Sequence, residues 1–208
     1  MLRLFANLKL IQKLLIPIAM LLAVAVVIVW QAEDGIAQLG ASLENIVDIK
    51  APTRAISLGV SVAINDAAIA EKNAILETRA DQISAHKARF GKDIEASLVG
   101  VDKLATLSVT TEQRQATDAM KQAIKAYESG ALKNFDLNAR GDREGAVAAS
   151  LGELLKLRGA IVEMVNKRVD EAGVAMAEAK QNAIELKSAT IRSLILVASC
   201  GQIGRAHV

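Results

Sequence analysis

Aromatic residues are scarce in this 208-residue chain: one Trp, one Tyr and three Phe make up 2% of it, and only two prolines accompany them. A β-sandwich, barrel or α/β enzyme of this length spends aromatics and β-branched runs on its core and Gly/Pro on many turns, so those classes are disfavoured. The single cysteine, Cys200, cannot close an internal disulfide, and the two histidines, His86 and His207, stand far apart. Disulfide scaffolds and the commoner zinc sites are thereby excluded, and no metal is expected. Charge of one sign is lacking as well: 25 basic against 23 acidic residues leave a net charge of +2, which gives no electrostatic reason to bind nucleic acid. There is no Gly-rich phosphate loop and no Ser/His or Cys/His pairing. Acidic pairs such as Glu33/Asp34 and Asp170/Glu171 are sequence neighbours that diverge on a helix. No catalytic residue and no cofactor is expected, and the chain does not read as an enzyme.

What is present is apolar and helix-forming. Hydrophobic residues make up 52% of the chain, and Ala, Leu, Glu, Lys and Ile dominate. Residues 14–30, LLIPIAMLLAVAVVIVW, carry no charge, and Gln31 and Ala32 extend the run. That is enough for the roughly 17–25 residues of a membrane-spanning helix. Arg3, Lys9 and Lys13 precede it without an acid; Glu33 and Asp34 follow. The positive-inside bias then puts residues 1–13 in the cytoplasm and residues 33–190 outside, with Trp30 as an interfacial anchor. A cleaved secretory signal would want small residues at the cut, where Val29, Trp30 and Gln31 stand, so an uncleaved anchor over 14–32 is expected.

Beyond residue 30 the pattern is helical, with corners near 78–81, 108–111 and 138–142. Asp81, Thr110 or Thr111, and Asp142 are the candidate N-caps there, and Gly141 a C-terminal stop. The expected fold is all-α, a membrane-anchored antiparallel four-helix bundle. Its first helix (31–79) and fourth helix (142–190) are long, each about 49 residues or roughly 73 Å. The first helix carries a seam at Ile46, Ile49, Thr53, Ile56, Val60, Ala63, Ala67, Ala70 and Ala74; the fourth carries one through Leu151, Leu155, Arg158, Val162, Val165, Val169, Ala172, Met176, Ala179, Ala183, Leu186 and Thr190. Ile83, Phe90, Ile94, Val101 and Leu104 mark the core face of the second helix, and Met120, Ile124, Tyr127 and Phe135 that of the third. Residues 191–201 read as the start of a second span cut short, and 202–208 as a non-native tail, since 203–208 match one reading frame of a sequencing-library adapter.

Three stretches carry a resemblance. IVDIKAPTRAI (46–56) resembles the Pro-containing part of the first helix in the four-helix-bundle sensor domain of bacterial methyl-accepting chemotaxis proteins, EKNAIL (71–76) the segment before its first corner, and ARGDREGA (139–146) its third corner. The resemblance implies a homodimeric receptor of the bacterial inner membrane that binds a small ligand in the periplasm. Such a receptor passes a helix displacement to cytoplasmic kinase-coupling partners through a part this sequence does not contain. The same sensor type fronts histidine kinases and diguanylate cyclases, and a membrane-anchored coiled coil that binds another protein is the alternative of a different class.

Four residues are candidates for ligand binding. Arg158 is the one charge in the fourth helix's seam; a guanidinium there either holds a small-molecule carboxylate or reaches the bundle rim to pair with Asp66 or a glutamate. Asn65 and Asp66 lie at the matching height on the first helix. Arg54 follows Pro52, whose place inside a helix frees a carbonyl and either opens a pocket or only bends the helix. Tyr127, Phe135 and Met176 read as core, and His86 as a surface residue.

Overall fold

A computed structural model of the chain describes residues 10–203, and every regular element among them is helical. Helix α1 (Leu10–Asn45) passes through a π-helical turn, Ile46–Lys50, into α2 (Ala51–Leu76). Then come α3 (Ala80–Thr106), α4 (Thr111–Ala139) and the short α5 (Arg143–Ala149), which a second π turn, Ser150–Leu154, joins to α6 (Leu155–Ile203). The chain divides into two compact units, Ile46–Met176 and the combination of Met1–Asn45 with Ala177–Val208.

Local chemistry sets the corners of the first of these units. Thr110 makes a full capping box: its hydroxyl accepts from the Gln113 N–H at 3.2 Å, and the Gln113 side chain accepts from the Thr110 N–H. This satisfies donors that a helix start would otherwise leave orphaned. Asp142 caps α5 by accepting from the Gly145 N–H at 2.9 Å, and Gly141 before it adopts φ +84°, a conformation that penalises any side chain with a Cβ. The start of α3 departs from expectation. Its N-cap is Arg79 in extended conformation with no side-chain cap, while Asp81 lies inside the first turn, where the helix dipole favours an acid.

One core draws on all four long stretches of this unit. Val60, Ile64 and Ala67 of α2, Phe90, Ile94 and Leu104 of α3, Met120, Ile124 and Tyr127 of α4, and Leu154, Ile161 and Val165 around α6 are all buried. Each aliphatic of this size contributes about 1.5–3 kcal/mol on burial. Three of the five aromatics gather at one place, with the Phe90 ring 5.9 Å from Tyr127 and 5.4 Å from Phe135. Elsewhere alanines 67, 68, 70 and 74 fill the α2 face, so neighbouring helices come close. At Gly100 of α3 an added Cβ would stand 2.6 Å from Val60 Cγ2.

The expected seams of the first three helices coincide with buried or half-buried positions. The fourth follows its expected seam from Arg158 to Met176, where Val165 and Ala172 are buried and Arg158, Val162, Val169 and Met176 half-buried, but departs from it at Leu151 and Leu155, which are exposed. There the buried positions are Ser150 and Leu154, each one residue earlier. The π turn at Ser150–Leu154 takes in one extra residue, worth about 100° of rotation, and so displaces a frame read at constant pitch. The buried charge of this helix is Arg168.

Among the described residues, Leu21–Leu76, which begins in the other unit, is the one helix long and apolar enough to cross a membrane, and its apolar window is almost wholly unburied. Leu22, Val26, Val29 and Trp30 are 63–71% exposed. Gly35 is buried against Leu186, in ordinary van der Waals contact at 3.6 Å from where a Cβ would sit. An apolar groove lined by Ala32, Ile36, Leu39, Ala183 and Ile191 opens beside it. The basic Arg3 and Lys9, most side chains of the stub expected at 191–201, and most of the tail expected at 202–208 lie outside the described residues.

Candidate functional site

Two clusters of buried polar side chains interrupt the apolar core, and helix geometry brings each together from distant sequence. The first centres on Glu71 of α2, which is 2% exposed. Asn134 Nδ2 of α4 donates to its Oε1, Ser150 Oγ from the second π turn donates to its Oε2 at 3.0 Å, and Lys72 Nζ donates to the same Ser150 hydroxyl at 3.3 Å. Burial raises the Glu71 carboxyl above its ordinary value of 4.5; the bonds from Ser150 and Asn134 and the charges of Lys72 and Arg158 act against that rise. The neighbouring Tyr127 hydroxyl is pushed well above its ordinary value, first by burial and then by the Glu71 charge. A cavity of about 180 Å³ lies against the cluster, lined by Lys72, Ile75, Leu76, Val147, Ser150 and Leu151.

Arg158 stands at the edge of this network. It is half-buried, and its charge acts on both Glu71 and Tyr127. Among the described residues it makes no ion pair, and no side-chain hydrogen bond joins it to Asn65 or Asp66. Asp66 is half-buried, while Asn65 and Arg54 are exposed.

The second cluster surrounds Arg168, 5% exposed on α6. Its Nη2 donates to Ser108 Oγ at 3.3 Å, its Nη1 lies 3.7 Å from Glu171 Oε2, and its Nε is buried without a hydrogen-bond partner. Arg168 lines a cavity of about 290 Å³ together with Lys50, Thr53, Thr110, Gln113 and Glu171. The cavity is set by the first π turn, which supplies Lys50, and by the corner before α4, which supplies Thr110. Pro52 stands in the first turn of α2, where its missing N–H costs least, directly after that π turn. The residues that the Pro52 region contributes to this cavity are thus Lys50 and Thr53, with Arg54 outside its lining.

Sequence reasoning passed over Glu71, Asn134, Ser150 and Arg168. Glu71 has no local mark of burial, because its partners are 63 and 79 positions away. Arg168 had a signal: Leu154, Ile161, Val165, Arg168 and Ala172 form as good a seam as the one through Leu151 and Arg158. Among the described residues no group of three or more His, Cys, Asp or Glu is placed to hold a metal ion. The chain matches no protein-family model, no curated protein and no solved structure.

Proposed function

We propose that this chain is the sensory part of a transmembrane chemoreceptor, binding a small ligand outside the cell and passing a helix displacement across the membrane. The observation that carries the reading is helical continuity. The apolar α1, with its exposed Leu22, Val26 and Val29, joins the core helix α2 through nothing but a π turn. A stretch exposed and apolar on every side suits lipid and not water. In this reading residues 14–32 cross the bacterial inner membrane with the N-terminus in the cytoplasm, and the four helices form an antiparallel bundle in the periplasm. A second copy covers the stripe Leu58, Val62, Ile69 and Leu76, each 45–69% exposed on α2, to give a homodimer. Ligand binding favours one of two closely related packings, in which α6 slides by roughly 1–2 Å. It does so only to the extent that the ligand binds the two packings with different affinity.

Topology reporters test the placement. Alkaline phosphatase fused after Met176 is expected to be active, and a fusion ahead of residue 10 inactive; the reverse pattern removes the receptor reading. Joined ahead of a chemoreceptor signalling region, the chain is expected to give kinase output that responds to an added ligand.

A further inference from the structure

The guanidinium of Arg168 is poorly compensated for a group so deeply buried. Of its five N–H donors, one reaches the neutral Ser108 hydroxyl at 3.3 Å, and the Nε donor meets nothing. The nearest carboxylate, Glu171, stays 3.7 Å away with its side chain 47% exposed. A buried charge whose one ion pair is long and half in solvent is costly, and a second, closer partner would offset that cost. Here the space for a partner exists, because Arg168 lines the cavity of about 290 Å³. That is near the lower end of small-molecule sites, about 300–1,000 Å³.

We infer that this cavity is a binding site for a small monocarboxylate, with the planar carboxylate held by Arg168 and Lys50. Planar guanidinium and carboxylate match each other bidentately, which a point charge does not. Lys50 makes no ion pair among the described residues, so its ammonium is available as a second donor. Gln113 uses its Oε1 on the N–H groups of Val109 and Thr110, which leaves its amide Nε2 to donate to a ligand. The two carboxylates on the wall, Glu112 and Glu171, balance the two cations, so the lining is near neutral overall. Such a lining accepts one negative charge and repels a second, which selects a monocarboxylate over a dicarboxylate or inorganic phosphate. The inference deepens the receptor reading by naming a ligand class; it rests on that reading for its biological role and not for the binding itself.

The test is calorimetric titration of the full chain in detergent micelles with propionate, succinate and inorganic phosphate. Saturable 1:1 binding of propionate is expected, at least tenfold tighter than succinate or phosphate. Arg168→Lys should weaken it tenfold or more with the circular dichroism spectrum unchanged. If that variant fails to fold, Lys50→Met, on the half-buried π turn, is expected to weaken binding severalfold and carries the test instead. Arg158→Ala should leave propionate binding as it was. Propionate binding that survives both Arg168→Lys and Lys50→Met overturns the site, and stronger binding of phosphate overturns the ligand class. Absence of saturable binding by all three probes overturns the inference while leaving the topology result, and with it the receptor reading, intact.

Discussion

Replacing Glu71 by glutamine removes the charge of a buried carboxyl and keeps its hydrogen bonds. In Glu71→Gln the new amide oxygen would still accept from Asn134, and the new amide nitrogen would donate to the Ser150 hydroxyl, which rotates to receive it. Glu71→Ala, by contrast, strips both Asn134 and Ser150 of their partner inside the core and leaves a void. Together these cost about 2–4 kcal/mol. For a domain of this size each kcal/mol is about 2–4 °C in melting temperature, so Glu71→Ala should melt roughly 4–16 °C lower than the parent. The pH dependence distinguishes charge from shape. Because burial raises the folded-state value above 4.5, the folded protein holds a proton that the unfolded chain has released between 4.5 and the folded-state midpoint. The Glu71 contribution to stability is therefore complete below that window and is lost as pH rises through it, by at most about 1.4 kcal/mol per pH unit. Glu71→Gln should match the parent at low pH and pull ahead of it as pH rises. The assay is thermal melting of the full chain in detergent, followed by circular dichroism at a series of pH values. If Glu71→Gln melts as low as Glu71→Ala, or if its advantage over the parent is flat with pH, the reasoning from a buried, desolvated carboxyl is refuted.

Other perturbations have equally definite outcomes. Gly100→Ala drives a methyl to within 2.6 Å of Val60 Cγ2 and should destabilise by about 1–3 kcal/mol in urea unfolding, with Val60→Ala in the same chain recovering part of the loss. Thr110→Ala breaks the capping box of α4 and should cost about 1 kcal/mol in the same measurement, while Thr110→Ser should cost little. Glu77, at the corner before α3, is held at about 2, first by the Arg79 side chain and then by the Arg79 and Thr78 backbone N–H groups. Its carboxyl resonance should therefore titrate near 2, and Arg79→Ala should move the midpoint upward toward 4.5.

Features that a few adjacent residues determine were legible in the sequence. Thr110 with Gln113, and Gly141 with Asp142, mark their corners because caps and left-handed turns are local chemistry. The alanine-rich seam of α2 was equally plain, since Val60, Ala67, Ala70 and Ala74 keep one regular period. Only the start of the fourth helix misled, because periodicity is read on the assumption of constant rotation per residue, which the π turn at 150–154 breaks. The frame through Leu151 and Leu155 followed apolar residues that the fold leaves exposed; Arg158 stands half-buried in its expected place, whereas the buried Arg168, next to the seam's Val169, was passed over. Glu71 was illegible for another reason. A carboxylate amid alanines looks like any solvated helix charge until Asn134 and Ser150 arrive from other helices, and no rule of local spacing announces them.

The π turn at Ser150–Leu154 bears on how this chain tolerates changes of length. An α-helix that gains a residue must either turn everything beyond it by about 100° or swell locally to absorb it, and a π turn is the swollen form. Buried helices normally reject deletions, because the residues downstream swing away from their neighbours. Here a deletion of Gly152, around which no side chain crowds, would let the turn relax to ordinary α-helical pitch. Ala146 on one side and Ile161 on the other, both fully buried, would keep facing the core. In a protein whose stability rests on seams, the chain has a joint at which one residue can be removed without shifting the register of either side.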